Sequence, residues 1–132
     1  MSKAQVLSAF FDQFQTFMEQ LIIVFPTDDD FKIYLKNLKI ARIANPKMVV
    51  MELERHCLPF EKLIRARDAK FFLDYPFTEY EQDETIIPVI RKIKGMWFQL
   101  SSTNQDHILD YVVSLLNLVT RYIALSGSLL KK

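Results

Sequence analysis

Apolar side chains recur at three- and four-residue steps through most of this chain. Over residues 3–25, Leu7, Phe10, Phe14, Phe17, Leu21 and Val24 keep to one face of a helix of about 3.6 residues per turn. Phe11, Met18 and Ile22 widen that face. The pattern predicts a first helix over 3–25. Its face is broader than a simple surface helix needs, which makes Phe11 and Met18 candidate contacts for a protein partner. Pro26 forbids continuation, and Thr27, Asp28, Asp29 and Asp30 offer caps and first-turn carboxylates for a new start. A second helix is predicted from 27 or 28 to 44, with Phe31, Leu38 and Ala41 inward, together with Tyr34 or Leu35. Lys32, Lys36 and Lys39 share its outer stripe, with Arg42 near it. Asn45 and Pro46 repeat the stop and restart. The third helix, over 46–58, buries Val49, Val50 and Leu53. Pro59 breaks it, and a short continuation through Phe60, Leu63 and Ile64 ends near residue 68.

After Phe71, Phe72 and Leu73 comes DYPFTEYEQDE, at 74–84, with five carboxylates, three aromatics and no base. It reads as an extended connection pinned by its aromatic side chains, and Tyr75, Phe77, Tyr80 and Glu81 are further candidate partner contacts. A fourth helix is predicted over 83–100, with Ile86, Ile90, Ile93, Trp97 and Leu100 in register. Pro88 fits only its first turn, so the regular helix can begin at Ile87. SSTNQD is the next break, where Thr103 and Asp106 resemble a capping box. The last helix runs to 126, with Ile108, Val112, Leu115, Val119 and Tyr122 on one side. Asp110, Ser114, Asn117 and Arg121 lie on the other. The tail, 127–132, is expected to fray. The fold class is all-α: one domain over 1–126, a compact bundle of four long helices plus a short broken helix, with an aromatic and acidic connecting segment.

Composition narrows the function. Half the residues are hydrophobic and a quarter charged, which is globular composition. Only two glycines occur, Gly95 and Gly127, which argues against β-hairpins and phosphate-cradling loops. The net charge of +1 sets up no global field toward nucleic acid or anionic lipid. The lone cysteine, Cys57, rules out an intramolecular disulfide. No signal-peptide core is recognised, and the longest apolar runs fall short of an uninterrupted span. The expectation is a soluble intracellular protein with no membrane span.

Three adjacent aspartates, Asp28 to Asp30, tempt a metal reading. On a helix neighbours diverge by about 100°, so they converge on one ion only from a loop, and no calcium-loop spacing follows. They read as helix-start carboxylates. His56 and Cys57 are adjacent, and His107 is the only other histidine. A buried thiol and a partly exposed imidazole are expected there, not a zinc site or a nucleophile pair. No phosphate loop, dinucleotide fingerprint, nucleophile elbow or zincin motif occurs. The expectation is therefore no catalytic residue, no metal, no cofactor and no enzyme. Three basic clusters stand out: Lys32, Lys36, Lys39, Arg42 and Lys47; then Lys62, Arg65, Arg67 and Lys70; then Arg91, Lys92 and Lys94. On a shared face they would contact a phosphate backbone. This makes Lys32, Lys36, Lys39, Arg65 and Arg67 the nucleic-acid candidates of an alternative reading. The acidic run 79–84 offers instead a partner for such a cluster on another molecule.

The phrases FPTDDDF (25–31), ARIANPK (41–47) and AKFFLDYPF (69–77) resemble, in order and spacing, a family of small all-helical proteins of large DNA viruses of algae and protists. None is a catalytic motif, so the resemblance transfers no site residues, and the last two helices match only in general character. It implies a viral origin and a virion or minor capsid role, with residence in the virion and the infected-host cytoplasm. The leading expectation is a non-enzymatic structural or interaction protein whose partners are capsid proteins or further copies of itself. A nucleic-acid-associated regulatory factor is the alternative. An adaptor gripping a host peptide in a helix groove is the third.

Overall fold

The computed structural model describes residues 1–74 and 85–126. The candidate contacts Tyr75, Phe77, Tyr80 and Glu81 lie outside the described residues, as do most of the acidic connection and the tail. Among the described residues the chain is all-α and no strand occurs. Its helices are α1 (Lys3–Val24), α2 (Asp30–Ala44), α3 (Pro46–His56), α4 (Glu61–Arg65), α5 (Ala69–Asp74), α6 (Ile87–Met96) and α7 (Ser102–Ser126). Single 3-10 turns, Leu58–Phe60 and Trp97–Gln99, precede α4 and follow α6. The expected short broken helix is thus α3, a 3-10 turn and α4. The expected fourth helix is shorter than its periodicity implied, and α5 was not foreseen.

α1 starts on a capping box. The Ser2 hydroxyl accepts from the Gln5 N–H at 3.2 Å, and the Gln5 side chain accepts from the Ser2 N–H at 2.8 Å. Neighbours then cover α1 on two sides. Its most extensive packing is against α7, with α2 next. Phe17 stacks on Tyr111 of α7 at 4.8 Å between centroids, and the Lys3 ammonium lies 5.9 Å from the Tyr122 ring centre. These pairs set α1 and α7 antiparallel. On the other side Arg42, near the end of α2, reaches back to Ser8, Asp12 and Gln15 of α1. Its guanidinium sits 5.5 Å from the centre of the Phe11 ring.

A helix with two covered sides needs a wide apolar face. Phe11 and Met18 are accordingly 1% and 0% exposed, so they are core and present no surface to a partner. Phe10 meets Phe11 and Phe14 edge to face at 5.1 and 6.0 Å. Burying each ring stabilises the fold by about 1.5–3 kcal/mol.

The stop at Pro26 holds, but the restart differs from the expectation. α2 begins at Asp30, and the preceding Asp29 makes no side-chain cap bond. Asp28 lies in the turn instead, where its carboxylate accepts the Asp30 N–H at 3.0 Å. Asn45 likewise caps nothing with its side chain, although Pro46 does open α3. At α7 the cap is Ser101, whose hydroxyl accepts the Asn104 N–H at 3.1 Å, in place of the Thr103–Asp106 box. Glu52, fully buried on α3, anchors the entry to α6 by accepting the Ile86 N–H at 2.8 Å.

α7 is long and apolar enough by length and composition to cross a membrane, contrary to the expected shortfall. Here it buries Ile108, Leu115, Leu116, Val119 and Tyr122, while Asp110, Asn117 and Arg121 are exposed.

Candidate interaction surface

The chemistry of a surface helix follows from what its core face leaves over. α2 buries Phe31 and Leu38, which fixes its inward direction. Positions 33, 36, 40 and 43 then fall on the opposite side, each residue advancing about 100°. They are Ile33, Lys36, Ile40 and Ile43, and the three isoleucines are 53%, 54% and 87% exposed. Lys32 and Lys39 are also exposed beside this line, and Lys47 is exposed at the start of α3. Scattered surface apolar residues mean little, and it is the alignment of these three that makes the face a candidate. The lysines lie on the outer stripe expected for them, whereas no role was expected for the isoleucines. Their seven- and three-residue spacing, read against Phe31 and Leu38, was the available signal.

The arginines of the first two basic clusters, Arg42, Arg65 and Arg67, are not gathered on this face. Lys32 lies 3.7 Å from Asp29. Arg42 is turned onto α1 and does not belong to the outer stripe. Arg65 bonds Glu61 and Asn117, and Arg67 bonds Asp110 and the Asp106 carbonyl, so both brace α4 against α7. Of the five nucleic-acid candidates, Lys36 and Lys39 make no ion pair among the described residues.

The aspartate run finds its cation within the fold. The Lys92 ammonium of α6 sits 2.8 Å from Asp28 and 2.9 Å from Asp30. Because Asp28 is in the turn and Asp30 opens the helix, these two carboxylates converge on one ammonium, while Asp29 lies against Lys32. The hydrogen bond from Lys92, with that from the Asp30 N–H, holds the Asp28 carboxyl below its ordinary value. Hydrogen bonds to Asp28 and Asp30 raise Lys92. Burial raises the nearby Tyr34 hydroxyl, with Asp30 adding to the shift.

A cavity and a groove lie elsewhere in the fold. An apolar cavity of about 80 Å³ lies in the core among Phe14, Cys57, Val89, Trp97 and Leu115. Its lining offers a bound polar group almost nothing. A shallower groove of about 330 Å³ runs between α1 and α7, floored by Phe17, Leu21 and Ile108 and rimmed by Gln20, Asn104 and His107. Burial pushes the Cys57 thiol up to about 12, which leaves it protonated and a poor nucleophile. His56 is 1% exposed, where a partly exposed imidazole was expected. Among the described residues no three of His, Cys, Asp and Glu gather as metal ligands. Comparison with protein-family models, curated proteins and solved structures finds no match.

Proposed function

We propose that this chain is a non-enzymatic structural or interaction protein that binds other proteins through the outer face of α2. The observation carrying this reading is the line of three exposed isoleucines, Ile33, Ile40 and Ile43, on a helix whose other side is already committed to the core. Holding them in water costs hydrophobic stabilisation that a partner would recover, at about 25 cal/mol per Å² of apolar area covered. The resemblance of 25–31, 41–47 and 69–77 supports placing the protein as a minor capsid or virion-associated component of a large DNA virus. Its bundle would then serve as a scaffold presenting that face to neighbouring proteins.

Proteomics of purified particles, with sedimentation of the isolated chain across a concentration series, tests the proposal. Incorporation into particles that is lost in Ile40→Asp supports it. A chain that stays monomeric at high concentration and is missing from particles removes it. The nucleic-acid alternative rests on exposed Lys36 and Lys39, with Lys32 beside them. It requires salt-sensitive binding that weakens in Lys36→Glu.

A further inference from the structure

The outer line of α2 has the spacing of a coiled-coil seam. Ile33 and Ile40 are seven residues apart, Ile43 follows three later, and Lys36 takes the intermediate position. β-branched side chains at this repeat form the ridge against which a second helix packs knobs into holes. The line is about 15 Å long, at about 1.5 Å per residue, which suits one helix laid lengthwise.

We infer that this face receives one amphipathic helix of a protein partner, whose apolar seam covers Ile33, Ile40 and Ile43 and whose flanking carboxylates meet Lys36 and Lys39. The inference rests on the interaction reading above and adds the partner's chemistry. Charge complementarity selects this occupant. The face carries cations that make no ion pair among the described residues, Lys36 within its apolar line and Lys39 beside it, and its exposed carboxylate, Asp29 at the N-terminal end, lies against Lys32. A second copy of the same face would set lysine against lysine. A phosphate backbone would answer the lysines and leave the isoleucines in water.

The test titrates the full 132-residue chain against a fluorescent synthetic helix of several heptads, with leucine at a and d and glutamate at e and g. Anisotropy reads the binding. The comparison probes are a scrambled peptide of equal composition, the same design with lysine for glutamate, and phosphatidylserine-containing vesicles. The acidic helix is expected to bind at least about tenfold tighter than the scrambled peptide, and Ile40→Asp to remove about that factor. Lys36→Glu with Lys39→Glu is expected to turn the preference toward the lysine peptide. All three positions are exposed, and circular dichroism establishes that the variants keep the fold.

Equal binding of acidic and scrambled helices overturns the inference, as does unchanged binding by Ile40→Asp. Vesicle binding through Ile40 without peptide binding assigns the face to a bilayer and also overturns it. Self-association abolished by Ile40→Asp, with no peptide bound, overturns the acidic-helix occupant but leaves the interaction reading standing. A monomer that binds none of these probes and is missing from particles removes both.

Discussion

The left-handed turn at Arg67 ends α4 without a glycine. Its φ is 60°, the sole positive value at a non-glycine among the described residues. The Asp68 N–H reaches back to the Leu63 carbonyl at 3.0 Å and the Arg67 N–H to Ile64 at 2.9 Å, the paired bonds of a Schellman stop. In a chain with two glycines, an arginine stands where glycine is usual. The left-handed conformation costs a side-chain-bearing residue about 1–2 kcal/mol. Arg67 offsets part of this by bonding Asp110 and the Asp106 carbonyl of α7, contacts worth about 0–1 kcal/mol at an exposed site. Arg67→Gly trades the ion pairs for relief of strain and should change stability by less than about 1 kcal/mol. Arg67→Ala loses the pairs and keeps the strain, so urea unfolding should find it about 1 kcal/mol less stable than Arg67→Gly. Equal stability of the two variants would show that the turn carries no strain.

At the scale of the element, α6 has a defect that can be repaired. Gly95 is exposed in its last turn, and a Cβ added there would meet nothing within 4 Å. Gly95→Ala should therefore raise stability by about 0.5–1 kcal/mol through the loss of backbone freedom in the unfolded chain. Thermal unfolding checks it, and a lower midpoint would rule out an unstrained helical site. Elements of this kind were legible where one force dominated. The repeat of Phe10, Phe14, Phe17 and Leu21 gave α1, Pro26 gave its end, and Pro46 gave the start of α3. The caps were less legible, because Ser, Thr, Asp and Asn all satisfy the same N–H groups. Ser2 and Ser101 act where Thr27, Asn45 and Thr103 do not. Periodicity also measures how wide an apolar face is, not what covers it. Phe11 and Met18 could be read as partner contacts until α2 and α7 were both known to cover α1. The candidate surface was half legible for the same reason, since exposed isoleucines are recognised only once the inward side of α2 is fixed by contact.

For the whole molecule, the turn between α1 and α2 is fastened to α6 by Lys92. The Lys92–Asp30 bond spans 62 residues of sequence, so it closes a large part of the chain on itself. Two of the three aspartates, Asp28 and Asp30, thus hold an internal cation at the end of the α1–α2 hairpin, while Asp29 lies against Lys32. The two groups shift in opposite directions, and the sign of each fixes a pH window. Asp28 is held below its ordinary value of 3.8, so its contribution is fully present above that value and is lost as pH falls through the lower folded value. Lys92 is raised above 10.5, so its contribution is complete below that value and fades as pH rises through the higher folded value. Between these limits both groups are charged and the fastening is at full strength. Lys92→Met keeps the apolar stem and removes the charge, so it should lower the thermal midpoint near neutral pH. The deficit should shrink as pH falls below 3.8 and through the lower folded value, where Asp28 of the folded wild type takes up its proton. It should also shrink in high salt, because the pair is only partly shielded from solvent. A deficit that is the same in acid and at neutrality would assign the role of Lys92 to its stem alone. One that grows in acid would reverse the direction of the Asp28 shift and break the link between the turn and α6.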